Sequence, residues 1–205
     1  MDDDAGERRA TISEFIASVR RDIERAKRGY QGSSGALAIL MTNRGVQAVL
    51  IYRISHWLWQ RRVPLLPLLL TRISQVLFAI DISYQAAIGP GLVIVHGVGL
   101  VIGSAVVIEG DCYLFHGVTL GDRGSEWVGS TRTDGHPVLE KEVMVGAGAK
   151  ILGPIRIGHH SVIGANAVVL ADVPAWCVAA GVPARIVSTR NDCPDDMRPP
   201  GDESR

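Results

Sequence analysis

The stretch "LEKEVMVGAGAKILGPIRIGHHSVIGANAVVL", residues 139–170, decides the fold. Leu139, Val145, Ile151, Ile157, Ile163 and Val169 recur at every sixth position, and Ala147, Ala149, Ala165 and Ala167 hold tight places between them. A period of six fits neither a helix, whose apolar face returns after three and four residues, nor a half-buried strand, which alternates. It fits a parallel β-helix of hexapeptides, in which each repeat supplies one short strand and a turn. The recurring aliphatic then points inward and stacks on the next coil, while the small residue beside it lets the backbone turn a corner.

Working outward, Ile102, Ile108, Leu114 and Leu120 keep the same period, with Gly directly after Ile102 and Leu120. The two series are out of phase, because Leu120 to Leu139 is 19 residues. The intervening "GDRGSEWVGSTRTDGHPV" is polar and glycine-rich and reads as a loop ejected from the helix at about 121–138. A second slip lies upstream, where Ile88 to Ile94 is six residues but Ile94 to Ile102 is eight. Two extra residues must bulge, and a bulge re-aims side chains. His96, in "GLVIVHGVGLVIG" (91–103), sits in that slip, which favours an outward-facing base over a buried histidine bonded to backbone. His136, where the repeats resume after the loop, is a second imidazole that could complete a site or lie in solvent. Asp81, where helices hand over to repeats, is either a carboxylate partner for His96 or a cap.

Before the repeats the pattern is helical. Ile12, Phe15, Ile16 and Val19 mark one amphipathic helix, "GVQAVLIYRISHWLWQRR" a second that ends before Pro64, and a third follows Pro67. The apolar run "VPLLPLLLTRISQVLFAI" (63–80) is interrupted by Pro64, Pro67, Arg72, Ser74 and Gln75 and is expected as a buried helix, not a membrane span. The expected organisation is an α+β chain: α-helical residues 1–80, a β-helix at 81–187 and a polar tail at 188–205.

Twenty-one basic residues balance 21 acidic ones, so no global field draws in nucleic acid or a membrane surface. The three cysteines, Cys112, Cys177 and Cys193, are odd in number and form no CxxC pair, which fits free thiols in a reducing compartment. The opening "MDDDAGERRA" is acidic where a secretory signal is basic and then apolar, and a cytoplasmic location is expected.

Over roughly residues 45–187 the sequence resembles the serine O-acetyltransferase family of hexapeptide-repeat acyltransferases. The resemblance rests on "YRISHWLWQRR", "IDISYQAAIGPGLVIVHGVGLVIGSAVVIEGD", "FHGVTLG", "VMVGAGAKILGPIRIG" and "AAGVPARIV". It implies a left-handed β-helix, a homotrimer or dimer of trimers, and acetyl-CoA bound between neighbouring subunits, with no metal. By position it implies His96 as general base, Asp81 as its carboxylate and His136 as the second active-site histidine. Gly146, Ala147, Ala165, Ala180, Gly181 and Arg185 are the implied donor-binding residues. Direct transfer would follow, with His96 taking the proton of an acceptor hydroxyl as it attacks the thioester.

The departures from the family concern the acceptor. Val95 stands where serine-using members have Asp, Gly135 where they have Arg, and Tyr30 and Gln31 where an acidic residue and Pro are expected. Losing both partners of a zwitterion would leave its charges unpaired. Arg132 or Arg123 could replace the guanidinium, and Asp134 or Asp122 the carboxylate, in a loop about five residues longer than the family's. Trp127 offers a flat apolar surface in that loop. The chain closes on "GDESR" without the isoleucine through which family members dock onto the next enzyme of cysteine synthesis, so that complex is not expected. Two readings of the small-molecule acceptor therefore stand: serine or a serine-like alcohol, and a hydroxyl of a sugar, polysaccharide or specialised metabolite. Two further readings are a zinc hydratase using His96, His116 and His136, weakened by their wide spacing, and a trimeric scaffold without activity. His159 and His160 are expected as solvated turn residues.

Overall fold

The computed structural model describes residues 10–29, 35–124, 135–190 and 192–194. Four helices come first: α1 (Ile12–Gly29), α2 (Ala36–Thr42), α3 (Arg44–Gln60) and α4 (Leu66–Phe78). One more helix is present than the sequence pattern suggests, because α2 is a short segment directly before the Asn43 cap of α3. That cap is explicit, with the Asn43 side chain accepting from Val46 N–H at 3.0 Å. Helix α1 opens with a capping box: Thr11 N–H donates to Glu14 Oε2 at 2.7 Å and Glu14 N–H to Thr11 Oγ1 at 3.2 Å.

From Ile80 the chain winds through three parallel sheets. β1 (Ile80–Ile82), β4 (Leu100–Ile102), β7 (Thr119–Gly121), β10 (Lys150–Leu152) and β13 (Val168–Val169) form the first. β2 (Ala87–Ile88), β5 (Val107–Ile108), β8 (Val138–Leu139) and β11 (Arg156–Ile157) form the second. β3 (Val93–Val95), β6 (Tyr113–Phe115), β9 (Met144–Val145), β12 (Val162–Ile163), β14 (Cys177–Gly181) and the antiparallel β15 (Ala184–Thr189) form the third. This is the parallel β-helix that the six-residue period implies. Its aliphatic series are its core: Ile102, Ile108, Leu114, Leu120, Leu139, Val145, Ile151, Ile157, Ile163 and Val169 are all no more than 2% exposed.

Strand register explains both slips. Leu139 pairs with Ile108, so β8 directly follows β7 and the 19-residue step replaces a single step of six. The excess falls between β7 and β8 with no loss of a strand. Ile82 pairs with Ile102, 20 residues on, whereas Ile102 pairs with Leu120 after 18. The two extra residues lie in the turn from β3 to β4, at His96.

The helices cap the open first coil, whose backbone would otherwise present an unpaired edge. Tyr52 of α3 donates its hydroxyl to Ala86 O at 2.7 Å and accepts from Ile88 N–H at 3.2 Å. Arg53 donates to the carbonyls of Ile88 and Gly89, and Asp22 of α1 accepts from Gly91 and Leu92 N–H at 2.7 and 3.1 Å. Asp22 and Arg53 are paired to each other at 2.9 Å and are both buried. Gly45 lets α3 approach β3, since a Cβ there would lie 2.2 Å from Ile94 O.

Helix α4 differs from the buried helix expected at 63–80. Its inner stripe is Pro67, Thr71 and Ser74, while Leu65, Leu69, Val76 and Leu77 are each more than half exposed. The small and polar stripe faces inward because its hydroxyls find backbone acceptors, Thr71 on Pro67 O and Ser74 on Ile80 O, both at 3.1 Å. No helix among the described residues is long and apolar enough to cross a membrane. Cys112, Cys177 and Cys193 are free and buried, as the cysteine count suggests.

Candidate active site

The corner between β3 and β4 carries His96 in the left-handed region, at φ +63°. An L-residue held there is strained and persists only where its surroundings over-determine it. Gly97 N–H donates to Val95 O at 2.8 Å, and Gly97 lies so close to Ile80 that a Cβ would come within 2.5 Å of Ile80 Cδ1. The ring itself is exposed, which removes the buried-histidine reading.

His116 turns the same corner one coil later, its ring centroid 6.0 Å from that of His96 and edge-on to it. The next coils continue the row. Gly148 N–H donates to His116 O at 2.9 Å, and Asn166 N–H to Ala147 O at 2.8 Å, which stacks Ala147 and then Ala165 on His116; the same ladder bond from Gly117 N–H ends on Val98 O, so His96 stands in the bulge just before this row. Ala180 belongs to the following coil, where it pairs with Arg185 across the β14–β15 hairpin, and Gly181 pairs with Ala184. One edge of the β-helix thus aligns His96 with all six residues considered for the acyl donor. Gly146 is also demanded by packing, since a Cβ there would lie 2.7 Å from Ala165 N. Lys150 reaches this edge from β10, its Nζ donating to Gly117 O at 2.6 Å and to Thr119 Oγ1 at 3.0 Å.

Asp81 sits mid-strand in β1, half-buried and in register with Val101, so it is no helix cap. Among the described residues no hydrogen bond joins its carboxylate to the His96 ring. His136 lies on another edge. Its ring covers Gly103, where a Cβ would meet His136 Cδ2 at 2.7 Å, and Gly103 follows β4 at the end remote from His96. Gly103 stands at the corner from the first sheet into the second, whereas His96 stands at the corner from the third sheet into the first. One chain therefore does not bring the two imidazoles together, and His96, His116 and His136 do not converge as a single ligand set.

The positions considered for the acceptor are neutral. Val95 is half-buried beside Phe115, with which it is in register. Gly135 is pressed on Pro154, where a Cβ would lie 2.3 Å from Pro154 Cβ. Arg123 is unavailable as a replacement guanidinium, because it donates to Leu152 O at 3.1 Å and to Leu170 O. Asp122 is engaged by Gly124 N–H at 2.8 Å. Arg132, Asp134 and Trp127, like Tyr30 and Gln31, lie outside the described residues. His159 and His160 are not solvated: both are half-buried against Trp176, with His160 stacked on the indole at 4.0 Å and its Nδ1 3.3 Å from Glu142 Oε2.

Residues 136–171 match the bacterial transferase hexapeptide family (six repeats). Serine acetyltransferase of Synechococcus elongatus is 40% identical over 172 residues, covering 82% of this chain and 68% of that protein. The chain belongs to the serine acetyltransferase family. The family member from Mycobacterium tuberculosis is 40% identical over 180 residues, covering 88% of this chain and 76% of that one. The structure of serine acetyltransferase from Brucella abortus in complex with coenzyme A superposes with a TM-score of 0.80 at 35% identity, covering 87% of this chain and 70% of the other. Membership makes this protein an acyltransferase.

Sequence reasoning placed His116 only in the metal alternative. The signal for its true position was present: His96 to His116 is 20 residues, the same step that pairs Ile94 with Leu114.

Proposed function

We propose that the protein is an acetyl-CoA-dependent O-acetyltransferase that transfers acetyl directly to an acceptor hydroxyl, with His96 as general base. The observation that carries this reading is the single edge on which His96, then His116, then Gly146 with Ala147, then Ala165 and then Ala180 stand in consecutive coils. Successive coils rise by about 4.8 Å, the strand spacing of a sheet, so an extended pantetheine arm lying along that edge ends at the histidines. Small residues let it approach the backbone, and Arg185, across the hairpin from Ala180, offers a cation at the far end for the nucleotide phosphates.

His96 removes the acceptor proton as the oxygen attacks the thioester carbonyl, then returns it to the leaving thiolate. No covalent enzyme intermediate is required. Asp81 is assigned to orienting the imidazole once substrates are bound. His136 completes the site from the edge of a neighbouring subunit in a homotrimer, because within one chain it stands at a different corner of the β-helix from His96. A dimer of trimers is compatible with this arrangement, and the cytoplasm is the expected compartment.

Serine or a serine-like alcohol is the acceptor that family membership favours. A second reading, a neutral hydroxyl acceptor such as a sugar, is favoured by Val95 against Phe115 and by Gly135 packed on Pro154. The test is release of free CoA from acetyl-CoA with L-serine and with methyl α-D-glucoside as acceptors. Robust turnover of L-serine removes the second reading. Turnover of the glucoside with serine inert establishes it, and no acceptor-dependent release from a wider alcohol panel contradicts the transferase assignment.

A further inference from the structure

We infer that His116 is a catalytic residue whose imidazole N–H holds the oxyanion formed on the thioester carbonyl. This rests on the reading of His96 as base and of the small-residue edge as the donor groove.

In the row His96, His116, Ala147, Ala165, the His116 side chain stands one coil beyond the base and one coil before the first donor position. A thioester carbonyl attacked by an oxygen held at His96, with its pantetheine running past Ala147, has to sit within that middle coil. The His96 and His116 rings are 6.0 Å apart between centroids, so a thioester carbonyl lying against both rings is within reach of each. Both rings are exposed, and among the described residues neither forms a side-chain hydrogen bond.

Several donors at this corner are already engaged. Gly97, Gly99, Gly117 and Gly148 N–H donate to the carbonyls of Val95, Ala79, Val98 and His116 at 2.8–2.9 Å. Lys150 Nζ is held by Gly117 O and Thr119 Oγ1. A side-chain N–H free to point at developing charge is what an oxyanion site requires, and His116 supplies it without breaking a bond of the fold.

The step balances as follows. The acceptor O–H proton passes to His96, the acceptor oxygen bonds to the carbonyl carbon, and the carbonyl π pair moves to oxygen, where His116 N–H donates to it. Collapse restores the C=O bond and breaks the C–S bond. The thiolate leaves with the proton from His96.

The experiment compares wild type, His116→Ala, His116→Gln, His116→Asn and His96→Ala at saturating acetyl-CoA. The acceptor is whichever of L-serine and methyl α-D-glucoside wild type uses faster. If neither is used, slow hydrolysis of acetyl-CoA is read, since its tetrahedral intermediate carries the same oxyanion. His116→Ala is expected to lose 10²- to 10³-fold in kcat, the usual effect of removing one oxyanion donor, with Kd for CoA unchanged. At least one amide variant, which restores an N–H, is expected to regain tenfold or more. A His116→Ala rate within threefold of wild type, equal losses in all three variants, or a loss appearing wholly in CoA affinity overturns the inference. If His96→Ala keeps the wild-type rate, the base assignment fails instead.

Discussion

At the scale of single residues, His96 combines a left-handed backbone with an exposed ring. His96 holds a positive φ that costs a non-glycine residue on the order of 1 kcal/mol, at the one corner where the first coil is two residues longer than the next. His96→Gly is therefore expected to leave Tm unchanged or raise it while abolishing turnover; a thermal melt checks the first and CoA release the second. Gly135→Ala is expected to destabilise by about 1–3 kcal/mol, because its Cβ would lie 2.3 Å from Pro154 Cβ and neither stem can yield freely. Denaturant midpoints measure this. Burial pushes the Cys112 thiol up to about 12, so the native protein should resist alkylation at pH 8 and react only when unfolded. The outward placement of His96 was legible in the sequence because the period breaks around it. His116 was not, because it sits within an unbroken period and gains meaning only from the strand it stacks on.

At the scale of elements, the helices and the first coil form one cooperative unit. Asp22 and Arg53 are buried, paired, and bonded to the exposed backbone of residues 88–92, so removing either leaves an uncompensated charge and several unpaired backbone groups. Asp22→Ala should cost about 3–5 kcal/mol and lower Tm accordingly. Nothing in the charged pattern "RRDIERAKR" singled out Asp22, since its partner is 31 residues away. The strands, by contrast, could be read almost residue by residue, because a solenoid repeats one environment and the sequence repeats with it. Helix α4 was misread for the opposite reason: its leucines suggest burial, yet the stripe that packs is the one whose hydroxyls reach backbone carbonyls. The base of the ejected loop is pinned by Arg123 over Gly153 and by Gly135 on Pro154, adjacent residues of one corner.

At the scale of the whole molecule, the β-helix is a ruler: each coil advances the edge by one strand spacing, so residues far apart in sequence line up in the order that the proposed base, carbonyl site and donor groove require. Stability of such a stack also has a pH signature. Burial raises the Glu140 carboxyl, but His159 N–H and Arg156 outweigh it and hold the group below its ordinary value. A depressed carboxylate stabilises above its unfolded pKa and loses that contribution as pH falls through the folded value. Glu140→Gln should therefore cost about 1–2 kcal/mol at neutral pH, and the difference from wild type should shrink in acid, as denaturant titrations at several pH values would register. The account's central claim is that His96 is the base at the head of this ruler. Its most direct measurement is the rate of acetyl transfer by His96→Ala at saturating acetyl-CoA, read beside its affinity for CoA. The account predicts a fall in kcat of roughly 10²- to 10⁴-fold with CoA binding intact. A variant that binds CoA normally and transfers acetyl at the wild-type rate would contradict it.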